Sequence, residues 1–376
     1  MPRRTAPLVA TILIAGAAGC STLNEMLAPL KPARQAPVLV ARDLKQPINR
    51  SFFILDAPDQ ALVGEPQVVF TDADNTLSDL AREYGLGYDE LVAANPDVDP
   101  WLPGANTPVL LPTQYLLPDA PREGIVLNIA SKRLFYFPPL AEGQPRQVIT
   151  YPIGIGRVGW ETPLGEANVI AKARDPHWYP PLSVRQEHAE MGDPLPSIVP
   201  PGPDNPLGRF VLKLDLPGYL IHGTNQPYGV GMRVSHGCVR LYPENIEALY
   251  PMIDLGVPVR IVNQPYLAGW HGGELFVESH APLEDDEVAR EDRVSELLES
   301  VGDAVGRATL DAVRAVLTDA RGVPIRVSQH DNAEVLARAR LVENTVEPDP
   351  DMPTLAEVRE LLDTPLPEEE TPESNE

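Results

Sequence analysis

The chain has 376 residues, enough for two or three domains, and its formal charge of −24 excludes nucleic acid as a partner, because a phosphate-binding surface needs a basic excess. Its 43 prolines, about twice average usage, favour strands joined by loops over a helical bundle. The acidity is concentrated at the end of the chain, where residues 341–376 hold twelve Asp or Glu against one basic residue, Arg359.

The chain opens MPRRTAPLVATILIAGAAGCS, two arginines followed by an apolar stretch from Ala6 to Ala18 and small residues before Cys20. A charged start, a short apolar core and a small-residue ending describe a secretory signal, and the stretch falls short of the roughly 20 residues of a membrane span. Ala17-Ala18-Gly19-Cys20 resembles the lipobox of bacterial lipoproteins, with alanine in place of the usual leucine three residues before the cysteine. That resemblance implies a lipoprotein signal peptide over residues 1–20, lipid on Cys20 and a membrane anchor. The second cysteine, Cys238, is then left without a disulfide partner. A lone thiol in an oxidising compartment is either buried or kept for its reactivity.

Residues 21–65, with Pro29, Pro32, Pro37 and Pro47, read as a tether with a little local structure. Residues 66–113 read as a compact unit: a strand at Val68-Val69-Phe70, a helix capped by Thr76 and closed by Gly85, a helix from Tyr88 to Ala94 stopped by Asn95-Pro96, and a strand at Val109-Leu110-Leu111. This βααβ order, with NTLSDLAREYGL, LVAANP and VLLP, resembles a LysM domain, which implies binding of N-acetylglucosamine-containing glycans. The family's usual Gly-Asp-Thr-Leu stands here as Asp74-Asn75-Thr76-Leu77, which puts the glycan contact of that loop in question. A βααβ unit without a ligand is the alternative.

Residues 123–263 change to strand patterns: the hairpin GIVLNIASKRLFYF with its turn at Ser131-Lys132, then RQVITYPIGIG, EANVIAKA, RFVLKLD, GYLIHG, CVRLY and PVRIV, with one helix after Pro243. The segment 179–208, with eight prolines, reads as a long loop lying over one face, a length that marks functional or disordered chain. Residues 264–344 form an extension, with a strand at ELFVES and an amphipathic helix through Val294, Leu297, Leu298, Val301 and Val305 that runs to Ala320 and stops at Gly322. The acidic, proline-punctuated stretch 345–376 reads as a disordered tail.

Chemistry gathers in RVSHGCVRL, residues 233–241. A cysteine nucleophile needs a base, a group to orient that base, and donors for the developing oxyanion. Cys238 has two candidate bases. His236 lies two residues away on an extended chain, about 6–7 Å, and reaches the sulfur only if the chain turns at Gly237. His222, in LIHGTN, reaches it from a neighbouring strand, where side chains approach within about 5 Å, and is the preferred base. The N–H groups of Gly237 and Cys238 are the oxyanion candidates, and Arg240 is suited to a substrate carboxylate or a structural carbonyl. An inert buried thiol and a zinc site on His222, His236 and Cys238 are the competing readings. Zinc needs a fourth ligand or an open position with water, and no fourth ligand is spaced nearby.

IHGTNQPYGVGMRVSHGCVRLYPENIEALY, supported by ETPLGE, WYPP and PGPDNPLG, closely resembles the catalytic core of the L,D-transpeptidases, the YkuD fold, over about residues 123–263. The architecture implied is multidomain and mainly β: a YkuD-type β-sandwich catalytic domain, a small LysM domain and a partly helical C-terminal extension. Carried over by motif, Cys238 is the nucleophile and His222 its base, with the Gly223 carbonyl orienting the ring. His236 and Gly237 shape the thiolate site, and Ser235 and Arg240 take substrate contacts. The reaction implied is acyl transfer from peptidoglycan tetrapeptide stems with release of D-alanine, forming 3-3 cross-links or attaching a Braun-type lipoprotein. It requires no metal or organic cofactor. The expected location is the periplasm of a Gram-negative bacterium, with lipid anchorage and a lean to the outer membrane. Two alternatives stand beside it: a hydrolase or carboxypeptidase using the same site, and a non-catalytic peptidoglycan-binding lipoprotein.

Overall fold

The computed structural model describes residues 51–140, 143–286, 288, 290–302, 307–327 and 332–347. The signal segment with Cys20, the tether up to residue 50 and the tail from residue 348 lie outside the described residues.

In chain order the elements are β1 (Phe52–Ile54), β2 (Leu62–Gly64), β3 (Gln67–Phe70), α1 (Leu77–Glu83), α2 (Tyr88–Ala94), β4 (Pro108–Leu111), β5 (Gln114–Leu116), β6 (Gly124–Asn128), β7 (Arg133–Phe137), β8 (Gln147–Pro152), β9 (Ile155–Gly156) and β10 (Gly165–Arg174). There follow α3 (Leu182–Glu190), β11 (Phe210–Leu214), β12 (Leu220–His222), β13 (Arg233–Ser235), β14 (Val239–Arg240), α4 (Pro243–Leu249) and β15 (Pro258–Val262). The C-terminal part adds β16 (Tyr266–His271), β17 (Glu274–Ser279), α5 (Arg290–Gly302), α6 (Arg307–Asp319), β18 (Ile325–Arg326), α7 (Asn332–Arg338) and β19 (Arg340–Leu341).

The centre is a mixed nine-stranded sheet in the order β1-β8-β7-β6-β15-β10-β11-β12-β14. Along β6 and β7 successive side chains enter different cores: Ile125, Leu127, Leu134 and Tyr136 one, Val126, Phe135 and Phe137 the other. Period-two alternation explains this, and burial on both faces explains why LFYF is apolar without interruption. Ile149 and Tyr151 of β8 share their core with Ile221 of β12 and Val239 of β14, seven places across the same sheet from one another at the extremes. A single curled sheet thus supplies the opposing layers that a sandwich would draw from two.

The βααβ unit follows its local signals. Thr76 and Asp79 form a capping box, Asp79 N–H donating to Thr76 Oγ1 at 3.2 Å and Thr76 N–H to Asp79 Oδ2 at 2.8 Å. Asn95 ends α2 and ties it to β4, its amide donating to Leu110 O at 2.8 Å and accepting from Leu110 N–H at 2.8 Å. The sheet β3-β4 is completed by a third strand from far along the chain, β19, parallel to β3. Val68, Ala94 and Leu110 share one core with Val277, Val313, Val316 and Leu317.

Three expectations change. Residues 51–65, expected in the tether, include β1, which pairs with β8 at the sheet edge, and β2, which pairs with β5. The segment 179–208, expected without regular structure, contains the nine-residue helix α3. The helix expected to run to Ala320 is described as two, α5 and α6, with residues 303–306 outside the described residues.

Candidate active site

The site is built on a parallel pair. β12 and β14 run side by side with Ile221 opposite Val239 and His222 opposite Arg240. Paired residues of a parallel ladder point the same way, so Ile221, Val239 and Leu241 enter the core while Leu220, His222, Cys238 and Arg240 face one pocket. Sixteen positions apart in the chain, His222 and Cys238 become diagonal neighbours on that face, within reach of a long side chain. The pocket has a volume of about 470 Å³ and is walled by Trp160, Trp178, Tyr179 and Val184.

His222 is buried, 3 % exposed, and its Nδ1–H donates to the Gly223 carbonyl at 2.6 Å. Because a carbonyl only accepts, Nδ1 carries the hydrogen and Nε2 keeps its lone pair. Burial, reinforced by the Arg240 cation, lowers the ring to about 3, so it is neutral across the physiological range. Burial also pushes the Cys238 thiol up, opposed by the Leu220 N–H and Arg240. Both effects disfavour charge, and the resting pair is thiol and imidazole. The thiol is half-buried and directed at Gly218 O, 3.6 Å away. Arg240 is also drawn below its usual range by burial, and has no carboxylate partner among the described residues.

The motif turns at Gly237, whose φ of +97° favours glycine and where a Cβ would lie 2.9 Å from the Tyr219 ring. That turn carries His236 away from the base position. Its Nε2 lies 2.8 Å from Glu187 Oε2 on α3 and 3.1 Å from an Arg157 nitrogen, and its ring meets Trp160 edge-on at 4.9 Å. Two sequence assignments need correction. Gly237 N–H, expected in the oxyanion hole, donates to Ser235 Oγ at 3.2 Å, which leaves Cys238 N–H of the expected pair. Ser235, expected to touch substrate, lines the pocket but is 1 % exposed, and its hydroxyl donates to Cys238 O and accepts from Gly237 N–H, so both its hydrogen bonds serve the turn. Arg233 fixes the turn's entry, with Nε on Gly156 O at 3.1 Å and a bidentate grip on Asp285 at 2.9 and 2.8 Å.

Residues 122–261 match the YkuD family, the L,D-transpeptidase catalytic domain. The chain is 37% identical to the probable L,D-transpeptidase YcfS of Escherichia coli over 76% of its own length and 91% of that protein's. It belongs to the L,D-transpeptidase family. It is 38% identical to the probable L,D-transpeptidase YbiS of E. coli over 71% of this chain and 89% of that one. With the probable L,D-transpeptidase ErfK/SrfK of Salmonella typhimurium it shares 39% identity over 59% of this chain and 72% of that one. Around His236 the L,D-transpeptidase site also gathers residues that sequence reading missed, of which Trp160 lines the pocket. Arg157 and Trp160 lay in a stretch read only as a turn, and Glu187 in one read only as a loop. No local pattern marks any of the three.

Proposed function

We propose that this L,D-transpeptidase acts on peptidoglycan tetrapeptide stems through a cysteine thioester, and that it forms 3-3 cross-links or attaches a Braun-type lipoprotein. The observation that carries the reading is the tautomer of His222: Nδ1–H is held by the Gly223 carbonyl, so a bare Nε2 shares the pocket with the Cys238 thiol. As the Cys238 sulfur attacks the L-centre carbonyl of the third-position diaminopimelate, Nε2 takes the thiol proton. Ionisation accompanies attack because neither group is charged at rest. The tetrahedral oxyanion faces Cys238 N–H, and the proton passes from His222 to the departing D-alanine amine. An acceptor amine, from a second diaminopimelate or a protein lysine, then attacks the thioester. Its proton returns through His222 to the sulfur. Arg240, charged in the pocket and without a carboxylate partner among the described residues, is suited to a substrate carboxylate and to the developing thiolate.

The βααβ unit reads as a LysM domain over residues 66–113, supported by its element order and by Trp101 and Leu102, which are 62 % and 58 % exposed. Holding glycan there raises the local concentration of stems. The remaining partition is a catalytic domain over 123–263, an extension over 264–344 and an acidic tail over 345–376. A signal peptide lipidated at Cys20 would place the enzyme in the periplasm, at the outer membrane, supported by the residues that open the chain.

The test uses protein beginning after Cys20, mixed with purified disaccharide-tetrapeptide and followed by mass spectrometry, beside Cys238→Ala. D-alanine release with an adduct on Cys238, then a cross-linked dimer, is the expected course. Neither adduct nor D-alanine from folded wild-type protein would refute it.

A further inference from the structure

The segment 177–208 is pinned at its base and nearly free at its tip. At the base, Trp178 and Val199 exchange backbone hydrogen bonds of 2.9 Å each, and the buried Asn205 amide donates to Pro176 O at 2.8 Å. At the tip, α3 buries a single apolar side chain, Val184, at 2 % exposure, while its Leu182 is 61 % exposed and Met191, next after the helix, 64 %. Apolar burial therefore does little to hold the helix down. Glu187, three residues after Val184 and so on the same helical face, supplies the other attachment. Its carboxylate meets both Arg157 and His236 Nε2, and this pairing keeps it ionised, below the usual carboxylate range. Nε2 cannot accept from Arg157 and donate to Glu187 at once. A carboxylate at 2.8 Å decides for Nε2–H, and Arg157 is satisfied by the same carboxylate.

We infer that Glu187 is a positioning residue that latches α3 onto the catalytic turn through His236, and that this latch governs how the thioester divides between an acceptor amine and water. The inference rests on the acyl-transfer reading above. With the latch shut, Trp178, Tyr179 and Val184 wall the pocket that holds Cys238. Attack by an amine breaks the C–S bond, forms the amide and returns the amine proton to sulfur. Attack by water breaks the same bond and yields the tripeptide carboxylate. Opening the latch favours the smaller, ubiquitous nucleophile.

The experiment compares wild type, Glu187→Ala, Glu187→Gln and Glu187→Asp in two readouts. One is the ratio of free tripeptide to cross-linked dimer at matched adduct formation on Cys238. The other, independent of turnover, is the rate of tryptic cleavage after Arg185, the one Lys or Arg between 179 and 208. Glu187→Ala should raise both several-fold, the partition being read at matched adduct so that a change in acylation rate does not enter it. Glu187→Gln, which keeps an acceptor for Nε2–H but loses the charge, should fall between, and Glu187→Asp should restore part of the protection. Equal cleavage and equal partition in Glu187→Ala and wild type would overturn the latch. No Cys238 adduct in wild type would overturn the acyl-transfer reading and the partition claim with it, while the protease arm still decides whether the latch exists.

Discussion

The βααβ unit and the segment 177–208 both pack on the stretch 222–242 that carries His222 and Cys238, but by different chemistry. The βααβ unit is joined by close backbone contact and buried polar groups. A Cβ on Gly231, in the loop between His222 and Cys238, would lie 2.3 Å from Gly87 Cα, and Tyr88 N–H donates to Val230 O at 3.3 Å. Tyr242, 3 % exposed, donates its hydroxyl to Leu86 O at 3.1 Å. Arg133 and Glu90 pair at 2.7 Å with side chains 1 % and 7 % exposed, and the guanidinium lies over the Tyr115 ring at 4.2 Å. The segment 177–208, by contrast, meets the turn through ion pairs whose members are 24–37 % exposed. Desolvated contacts cannot be released piecemeal, because each partner left behind is buried without water. Half-exposed ones can, because water replaces the lost partner. The stretch 222–242 therefore has one permanent wall, which lies outside the pocket, and one that opens over it.

Breaking the permanent wall should have the largest effect. Glu90→Ala leaves the Arg133 cation buried and unpaired, and removing one partner of such a pair costs about 3–5 kcal/mol. Urea unfolding at neutral pH measures this directly, and a loss below about 1 kcal/mol would remove the contrast between the two walls.

His222, the proposed base, offers a pH handle. His222 titrates near 3 in the folded chain against 6.5 when unfolded. Below 6.5 the unfolded chain takes up a proton that the folded chain refuses, so stability is lost as pH falls from 6.5 towards 3, by at most about 1.4 kcal/mol per pH unit from this group. Above 6.5 the group contributes no slope. His222→Asn, whose amide can still donate to the Gly223 carbonyl, should lack this component in unfolding measured across that window. For the same reason kcat/KM of the wild type should show no ionisation of His222 between about pH 5 and 8.

Smaller effects sharpen the contrast. Tyr242→Phe removes one buried hydrogen bond to Leu86 O and should cost about 0.5–1.5 kcal/mol, read in the same urea experiment. Arg82→Ala breaks the pair with Glu244, whose side chains are 40 % and 50 % exposed, and should cost less than about 1 kcal/mol, shrinking further in high salt. Arg82→Ala and Glu187→Ala each remove a water-accessible ion pair, yet only the second should alter product partition, because only Glu187 touches the histidine of the catalytic turn.

Much was legible locally. Thr76 with Asp79, the stop at Asn95-Pro96 and the turn at Ser131-Lys132 each act within a few residues, so the βααβ order and the β6–β7 hairpin could be read from spacing alone. Lys132, at φ +50°, occupies the left-handed position of that hairpin. That His222 and Cys238 face one pocket was also within reach, because neighbouring strands bring side chains on one face together. The helix α3 was hidden by the prolines around it, since a segment flanked by Pro180, Pro181, Pro194 and Pro196 carries the composition of a loop.

What the sequence by itself determined is the chemistry: which residues can act as nucleophile and base, and where helices and turns begin, because those depend on residue type and near-neighbour spacing. Tertiary structure alone decided the parallel register that sets His222 opposite Arg240, the spending of Gly237 N–H on Ser235, the union of β19 with β3, and the meeting of Glu187 with His236, 49 residues away. Each of these joins groups whose approach depends on how the whole sheet curls. No residue carries that information in its own spacing.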